Sequence, residues 1–291
     1  MMKRISLISL VFFIVVQYHT INAQEWINLN PFNQPPGNAL LGIDFVDEQN
    51  GWVVGEWGII LHTPDGVESW LVQQNHTIDC DLKRVDFIDQ LNGWAVGEWG
   101  TIYHTADGGQ TWQKQASPTS ILPLNDVVFV NDSTGWIVGF DGLIIHTKNG
   151  GENWHTQPTS TEHELLAISF VDRLKGWAVG TYGIILQTKN GGLNWESQNS
   201  NVNWYLKDVV FVDSLHGWTL GSYTGEDGVL RTIDGGLTWE KILARQGFAN
   251  AISAISADEA WIVGWNGLIK YTNNGGLSWQ VQNSNTKNTF Y

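Results

Sequence analysis

The sequence is poor in cysteine, in proline and in basic residues. Its 291 residues hold 1 cysteine and 7 prolines, and 15 lysines and arginines stand against 29 aspartates and glutamates. The single cysteine, Cys80, excludes a disulfide framework within one chain, so stability must come from packing. The formal net charge of -14 argues against nucleic acid and anionic membrane surfaces as partners, because both are bound by a basic face. We expect a protein or glycan partner, no cofactor and no metal.

The chain has one long apolar run, at its N-terminus. Lys3 and Arg4 precede the apolar segment Ile5–Val16, and Ala23 offers a small residue for cleavage. Because the run is too short to span a bilayer, it predicts a secretory signal peptide over residues 1–23. The alternative is an N-terminal anchor helix that stays attached. We expect a secreted, periplasmic or cell-surface protein whose mature chain has no stable membrane insertion.

Glycine and tryptophan are abundant, and they repeat. The chain has 32 glycines and 17 tryptophans, and a Gly-Trp pair, replaced by Ala-Trp in the last copy, occurs at intervals of 41 to 43 residues. A period near 40 without a helical pattern is typical of propellers and solenoids. We therefore expect residues 24–291 to form one repeat domain. The tryptophans of these pairs are Trp52, Trp94, Trp136, Trp177, Trp218 and Trp261.

Each repeat has the pattern of four short strands. In the second repeat, residues 82–89, 94–97, 101–105 and 111–115 alternate in polarity, and turn sequences separate them. A tight hairpin, Glu98–Gly100, joins the second and third segments. Four antiparallel strands per repeat predict an all-β fold, a β-propeller of four-stranded blades.

A turn of the form T-x-D/N-G-G-x-x-W ends five of the repeats, and the first repeat keeps the spacing with Val67 for the second glycine. It resembles the Asp-box of the BNR repeat superfamily, and together with F-V-D-x-x-x-G-W-x-V-G it resembles the photosystem II assembly and stability factor-like propellers, over residues 25–282. The resemblance implies a seven-bladed propeller and a non-enzymatic role in assembly. In the turn itself, we expect the side-chain oxygen to accept backbone N–H bonds, the glycines to supply positive φ and the tryptophan to pack between blades. The Asp and Asn residues are Asp65, Asp107, Asn149, Asn190, Asp234 and Asn274.

The two ends of the chain predict six complete blades plus a partial seventh. Residues 25–30 match an outermost strand, because Trp26 precedes Trp70 by 44 residues. At the other end, Phe290 aligns with Leu206, the first residue of an inner strand. We interpret this as a seventh blade that is cut short, which would leave apolar blade faces exposed and favour aggregation. The alternative is a closed six-bladed ring with an extra edge strand.

The candidate binding residues lie in the hairpins between second and third strands. In a propeller these hairpins share one face with the blade-to-blade connections, and each of them carries an aromatic residue. An aromatic ring of this kind, with acidic neighbours, suits the stacking of a sugar or a peptide. The alternative is that the aromatics cover adjacent blades. The candidates are Trp57, Trp99, Phe140, Tyr182, Tyr223, Trp265, Glu56 and Glu98.

Catalysis is the competing hypothesis, as a glycoside hydrolase or a sialidase. A sialidase needs three converging arginines, and the positions of Arg84, Arg173, Arg231 and Arg245 do not predict such a triad. Asp44 and Asp86 occupy equivalent inner-strand positions, and an inverting hydrolase needs two carboxyl groups roughly 6.5 to 9.5 Å apart. His62, His104 and His146 lie on third strands, too far apart to share a metal ion. We therefore predict a secreted, non-catalytic binding or assembly-scaffold propeller.

Overall fold

The computed structural model of the chain describes residues 39–66, 68–73, 78–223, 226–244 and 249–284. These residues form 24 strands in six antiparallel sheets, each built from four strands that are consecutive in the chain. Within the described residues, no helix has the length and apolar character needed to cross a bilayer. The predicted propeller of four-stranded blades is confirmed.

The first three blades have nearly identical strand lengths. Blade 1 consists of β1 (Leu40–Phe45), β2 (Gly51–Gly55), β3 (Ile60–Thr63) and β4 (Leu71–Val72). Blade 2 consists of β5 (Leu82–Phe87), β6 (Gly93–Gly97), β7 (Ile102–Thr105) and β8 (Gln113–Lys114). Blade 3 consists of β9 (Leu124–Phe129), β10 (Gly135–Gly139), β11 (Ile144–Thr147) and β12 (His155–Gln157).

The last three blades repeat this plan, and blade 5 has longer strands. Blade 4 consists of β13 (Leu165–Phe170), β14 (Gly176–Gly180), β15 (Ile185–Thr188) and β16 (Glu196–Gln198). Blade 5 consists of β17 (Tyr205–Phe211), β18 (Gly217–Tyr223), β19 (Glu226–Thr232) and β20 (Glu240–Ala244). Blade 6 consists of β21 (Ala249–Ala254), β22 (Ala260–Gly264), β23 (Ile269–Thr272) and β24 (Gln280–Val281).

All four strands predicted for the second repeat are present in blade 2, but β5 ends at Phe87 rather than at residue 89, and the outer strand starts later than predicted. We expected this strand to begin at Thr111, whereas β8 begins at Gln113. The Asp107 carboxylate accepts hydrogen bonds from the backbone N–H of Thr111 (2.8 Å) and from its hydroxyl (2.6 Å). The Asp-box turn therefore continues through Thr111, because the groups that would start the strand are already bound.

Aromatic stacking joins successive blades from blade 1 to blade 5. Trp52 of blade 1 stacks on Phe87 of blade 2, with ring centroids 3.6 Å apart, and Phe87 meets Trp112 edge-on at 5.8 Å. Phe87 also explains the glycine of the Gly-Trp pair, because a Cβ on Gly93 would lie 2.5 Å from its ring. In blade 6, alanines replace both partners, at positions 254 and 260. The Gly-Trp pair therefore marks where a phenylalanine ring packs.

Among the described residues, no Trp–Phe stack joins blade 6 to blade 1. Close contacts between inner strands join the blades in chain order, from β1 through β5, β9, β13 and β17 to β21. Among the described residues, Trp261 of blade 6 meets Tyr271 of its own blade and does not stack on Phe45 of blade 1. The predicted outer strand around Trp26 and the aligned Phe290 lie outside the described residues. Six blades are thus established, and a partial seventh is not.

Candidate functional site

The hairpins and the blade-to-blade connections lie on the same face of the propeller, as predicted. A three-residue turn joins the second and third strands in five blades, and its backbone bonds to the connection that enters a neighbouring inner strand. Gly100 donates to the carbonyl of Leu122 at 2.9 Å, and Gly183 donates to that of Trp204 at 2.6 Å. We call this surface the hairpin face. The opposite surface, which carries the Asp-box turns, is the Asp-box face.

All six predicted aromatic residues lie exposed on the hairpin face. Trp57 is 71% exposed and Trp99 is 64% exposed, and the other four side chains range from 42% to 56%. Residues whose role was to cover adjacent blades would be buried, as the tryptophans of the Gly-Trp pairs are. The exposure of the rings favours a binding role, which stays a prediction. The other four are Phe140, Tyr182, Tyr223 and Trp265.

Three of these aromatics have an unusual backbone conformation. Trp57, Trp99 and Tyr182 have φ values of 57°, 57° and 58°, in the left-handed region. A residue with a Cβ pays roughly 1–2 kcal/mol for this conformation, and bulky residues are uncommon there. Two other blades place Asp141 and Asn266 at the equivalent position, residue types that tolerate it. The bulky rings are therefore not explained by turn geometry.

The two predicted glutamates are anchored beside the aromatics. The Glu56 carboxylate accepts the backbone N–H of Ala39 at 2.9 Å, and the Glu98 carboxylate pairs with the Lys83 ammonium at 2.7 Å. Asp81 adds a third carboxylate, because it accepts the backbone N–H of Trp57 at 3.0 Å. Acidic groups therefore flank the indoles of blades 1 and 2, and sequence reasoning had missed Asp81.

A second aromatic cluster lies on blades 4 and 5. The ring of Tyr182 lies 4.7 Å from that of His163 and 6.3 Å from that of Tyr205, measured between centroids. Tyr205 is exposed and begins β17, so it adds another aromatic to the same face. The sequence held a signal for it, since it precedes the inner strand in a connection on this face, but only the structure brings the three rings together.

Polar side chains bond from blade to blade at the mouth of the channel, the end of the inner strands on the hairpin face. Each inner strand has a register shift near its start, after the first residue in five blades and after Leu206 in blade 5, and this bulge re-aims the residue that follows. Lys83 bonds to Asn125 of blade 3 at 3.1 Å, and Asn125 bonds to Glu164 of blade 4 at 3.0 Å. Lys207 bonds to Asn250 of blade 6 at 3.0 Å. The lysines at the mouth are therefore already engaged by this chain.

A buried ion-pair cluster crosses the channel below the mouth. The Arg84 guanidinium of blade 2 bonds to Asp126 of blade 3 at 2.8 Å and lies 3.5 Å from the Asp208 carboxylate of blade 5. Burial raises the pKa of Asp208 to about 6, and the Asp126 charge acts in the same direction, while Arg84 and backbone N–H bonds oppose it. Burial acts to lower the pKa of Arg84, but the carboxylates outweigh it and raise that pKa. The guanidinium therefore stays charged.

Inner-strand carboxylates hold neighbouring blades together. Asp44 accepts the backbone N–H of Phe87, and Asp86 accepts that of Phe129, both at 2.7 Å. Asp126 and Asp208 accept the N–H groups of Ile168 and Ile252 in the same way. These bonds give Asp44 and Asp86, the pair considered for hydrolysis, a structural role.

The described arginines are far from forming a sialidase triad. Arg84 is buried in the channel, whereas Arg173 is exposed in the β13–β14 turn, next to the Asp-box glycine Gly191. Arg231 donates to the carbonyls of Gly275 and Ala257 at the boundary of blades 5 and 6. Arg245 lies outside the described residues. The three described side chains therefore serve separate places in the fold.

The histidines of the third strands pack against tryptophans. His62, His104 and His146 each stack on the tryptophan of the Gly-Trp pair in their own blade, with ring centroids 4.5 to 4.8 Å apart. Burial, with smaller effects of Lys148 and His155, lowers the pKa of His146 to about 4, so it is neutral at physiological pH. Within the described ranges, no three His, Cys, Asp or Glu side chains converge to hold a metal ion.

The Asp-box turns have the structural role that the sequence predicted. Asp107 accepts the hydroxyl of Thr105 at 2.8 Å as well as both donors of Thr111, and the following Gly109 has a φ of 88°. A Cβ on Gly109 would lie 1.9 Å from the amide oxygen of Gln73, which reaches over from blade 1. In blade 2, glycine at this position leaves room for the Gln73 side chain of blade 1.

Several solved structures resemble the fold. The chain shares 23% identity with a structure described as "YCF48 bound to D1 peptide", with 84% of this chain and 81% of that chain covered and a TM-score of 0.67. A virginiamycin B lyase from Staphylococcus aureus shares 13% identity, with 87% of this chain and 86% of that chain covered and a TM-score of 0.72. A GH74 xyloglucanase from Xanthomonas campestris shares 11% identity, with 80% of this chain and 44% of that chain covered and a TM-score of 0.63. At these identities, the likeness shows the propeller fold alone.

Among curated proteins, no relative of the chain was found. The family model described as "Photosynthesis system II assembly factor YCF48" matches four overlapping segments, residues 20–122, 72–160, 113–203 and 193–288. These segments together span nearly the whole chain, and they include all six blades. The repeated blades and Asp-box turns agree with the resemblance that the sequence motifs indicated. The chain therefore belongs to the photosynthesis system II assembly factor YCF48 family.

Proposed function

We propose that this chain is a non-catalytic scaffold that binds a peptide segment of a partner protein on its hairpin face. The observation that carries the proposal is the set of exposed aromatic rings on this one face, with Trp57 and Trp99 the most exposed of them. Tryptophan and tyrosine are the residues that most often dominate binding energy at protein interfaces. A family relative has been solved with a bound peptide, which supports a peptide as the ligand.

The backbone strain at Trp57 and Trp99 supports the same proposal. Residues in sparsely populated backbone regions persist only where the surrounding structure holds them there, and they cluster at active sites and ligand-binding sites. Each indole also projects from a turn between two hydrogen-bonded strands, so its position is set by a rigid scaffold. A rigid aromatic loses little conformational entropy on binding, which raises its contribution to affinity.

A non-catalytic role is supported by the inner-strand carboxylates. The buried Asp44 and Asp86 each bond to a backbone N–H of the next blade, and neither is available to a substrate on the hairpin face. Arg84 spans the channel beneath the mouth, so a ligand would rest on the face rather than thread the ring. Binding at the surface needs none of these buried groups.

The proposal is tested by selecting random displayed peptides on the purified chain and measuring the enriched peptides by calorimetry. The double variant Trp57→Asn/Trp99→Asn removes both indoles while keeping a residue type that tolerates the turn. We expect affinity to fall by about thirty-fold or more, since losing hot-spot aromatics costs roughly 2 kcal/mol or more.

The matched control is Leu237→Asn/Leu277→Asn, which removes two exposed apolar side chains from the Asp-box face. It should leave affinity unchanged. The proposal is wrong if no peptide is enriched, if the control loses as much affinity as the double tryptophan variant, or if a neutral oligosaccharide such as a xyloglucan fragment binds through the same indoles while no peptide does.

A further inference from the structure

The charged side chains of the hairpin face are mostly negative. The described turns and connections of this face hold seven carboxylates and no lysine. Lys83 and Lys207 lie near the start of their inner strands, and the Lys241 ammonium of β20 lies 4.6 Å from the ring of Trp204 in the connection before β17. Carboxylates of this density attract a cationic partner and repel an anionic one. The seven are Glu56, Asp79, Asp81, Glu98, Asp141, Glu162 and Glu164.

Lys83 and Lys207 do not offset the negative charge that a ligand meets on this face. The Lys83 ammonium is paired with Glu98 at 2.7 Å and bonds to Asn125 at 3.1 Å. The Lys207 ammonium donates to the carbonyl of Ala249 at 3.1 Å and to the Asn250 side chain at 3.0 Å. Both cations are therefore satisfied by the chain itself. Of the remaining carboxylates, Asp79, Asp141 and Glu162 are exposed. The other three are half-buried and accept hydrogen bonds from this chain, and they are Glu56, Asp81 and Glu164.

The carboxylates are paired with aromatics in one arc of the ring. In blades 1, 2 and 3 the hairpin turn holds an acidic residue next to an exposed aromatic: Glu56 with Trp57, Glu98 with Trp99, and Phe140 with Asp141. The turn of blade 4 holds Thr181 and Tyr182, without a charge. The face thus has an acidic aromatic arc on the hairpin turns of blades 1 to 3 and an aromatic cluster of Tyr182, Tyr205 and His163 on blades 4 and 5. The hairpin turn of this cluster is uncharged, and its carboxylates, Glu162 and Glu164, come from the connection that holds His163.

An aromatic face next to a carboxylate is a favourable site for a lysine or arginine side chain. The ring attracts the cation through its quadrupole, the carboxylate attracts it directly, and the aliphatic stem packs on the ring. A neutral sugar gains nothing from the carboxylate charge, and an acidic peptide is repelled by it. We propose that the peptide bound on the hairpin face is cationic, with lysine or arginine residues on the arc of blades 1 to 3 and apolar or aromatic residues on the cluster of blades 4 and 5. This inference rests on the proposed function and specifies its ligand class.

Asp141 allows a clean test of the charge. Its side chain is exposed, it has a φ of 56°, and the equivalent residue in blade 6 is Asn266, with the same φ. Asp141→Asn therefore removes one charge without disturbing the turn. The control is Asp132→Asn, which removes the same charge from an exposed residue of the same blade on the Asp-box face.

The probes are three synthetic peptides of about a dozen residues. One has four spaced lysines followed by two tyrosines, and in the others glutamine or glutamate replaces the lysines. Calorimetry is performed at about 50 mM and about 0.5 M NaCl, because screening weakens exposed charge pairs. We expect the lysine peptide to bind about ten-fold or more tighter than the glutamine peptide at low salt, the advantage to shrink at high salt, and the glutamate peptide not to bind.

Asp141→Asn should weaken binding of the lysine peptide about two- to five-fold, the range expected for one exposed charge pair, and should leave the glutamine peptide unaffected. Asp132→Asn should change neither. Equal binding of the lysine and glutamine peptides, or equal effects of the two variants, would overturn the cationic ligand while leaving the proposed function intact. Failure of all three peptides together with failure of the displayed-peptide selection would overturn both.

Discussion

At the scale of single residues, the hairpin aromatics are the feature that folding does not explain. The turn needs a left-handed residue followed by glycine, and Asp141 and Asn266 meet this need in two blades. Trp57, Trp99 and Tyr182 occupy the same position with large exposed rings. An exposed bulky residue in a strained conformation lowers stability without gaining core packing, so its presence indicates a role outside folding.

The strain leads to a prediction about stability. Trp57→Asn/Trp99→Asn should raise the midpoint of thermal unfolding by roughly 2–4 °C, because relief of about 1 kcal/mol of net backbone strain shifts a domain of this size by that amount. Differential scanning calorimetry measures the shift. A decrease of several degrees would mean that the indoles pack against the propeller and stabilise it.

At the scale of strands and blades, glutamine side chains fasten the outer strands of blades 1 to 4 to the next blade. Gln157 of blade 3 donates from its amide nitrogen to the Gly191 carbonyl of blade 4 at 2.9 Å, and its oxygen accepts the indole N–H of Trp195 at 3.1 Å. The same pair of bonds recurs at three other blade boundaries. The other glutamines are Gln73, Gln115 and Gln198.

This contact predicts the effect of removing one glutamine. Gln157→Leu keeps the volume but leaves the buried indole N–H of Trp195 without its acceptor, so the free energy of unfolding should fall by about 1–3 kcal/mol. Chemical denaturation measures this loss. The exposed Gln113 on β8 provides the control, and Gln113→Leu should change stability by less than about 0.5 kcal/mol. Equal effects of the two variants would remove the glutamine contact from the account of blade packing.

At the scale of the whole molecule, Arg84 connects three blades across the channel. Its guanidinium contacts Asp126 of blade 3 and lies near Asp208 of blade 5, although it comes from blade 2. Such a contact ties together parts of the ring that are not neighbours in sequence. The ring is otherwise built from contacts between successive blades. Because the cluster contains the titratable Asp208 carboxyl, it makes the stability of the ring depend on pH.

The pH dependence follows from the raised pKa of Asp208. Burial raises this pKa to about 6, above the ordinary value of 3.8. The native state therefore holds this proton more tightly than the unfolded state, and the stability gained from it is full below about pH 4 and lost as the pH rises through about 6. Relative to Asp208→Asn, the chain should gain on the order of 1 kcal/mol in unfolding free energy between pH 7.5 and pH 5. Parallel curves for the chain and the variant over this range would contradict the assignment.

Much of the architecture follows from local sequence signals. The parts that do not follow from them are set by contacts between residues far apart in the chain. The blades, the Asp-box turns and the aromatic hairpins were predicted because each motif folds within one repeat. The left-handed conformation of Trp57 was not, since a bulky residue is disfavoured there. The cluster of Arg84, Asp126 and Asp208 was also missed, because bulges in the inner strands decide which side chains meet across the channel.

The central claim is that the hairpin face of this propeller binds a peptide. Hydrogen–deuterium exchange of the purified chain, with and without a saturating concentration of the tightest-binding selected peptide, tests it most directly. The account predicts slower exchange in the hairpin turns at residues 56–58, 98–100, 140–142 and 181–183, and no change in the Asp-box turns at residues 107–110 and 149–152. Protection confined to the Asp-box turns, or no protection in any hairpin turn, would contradict it.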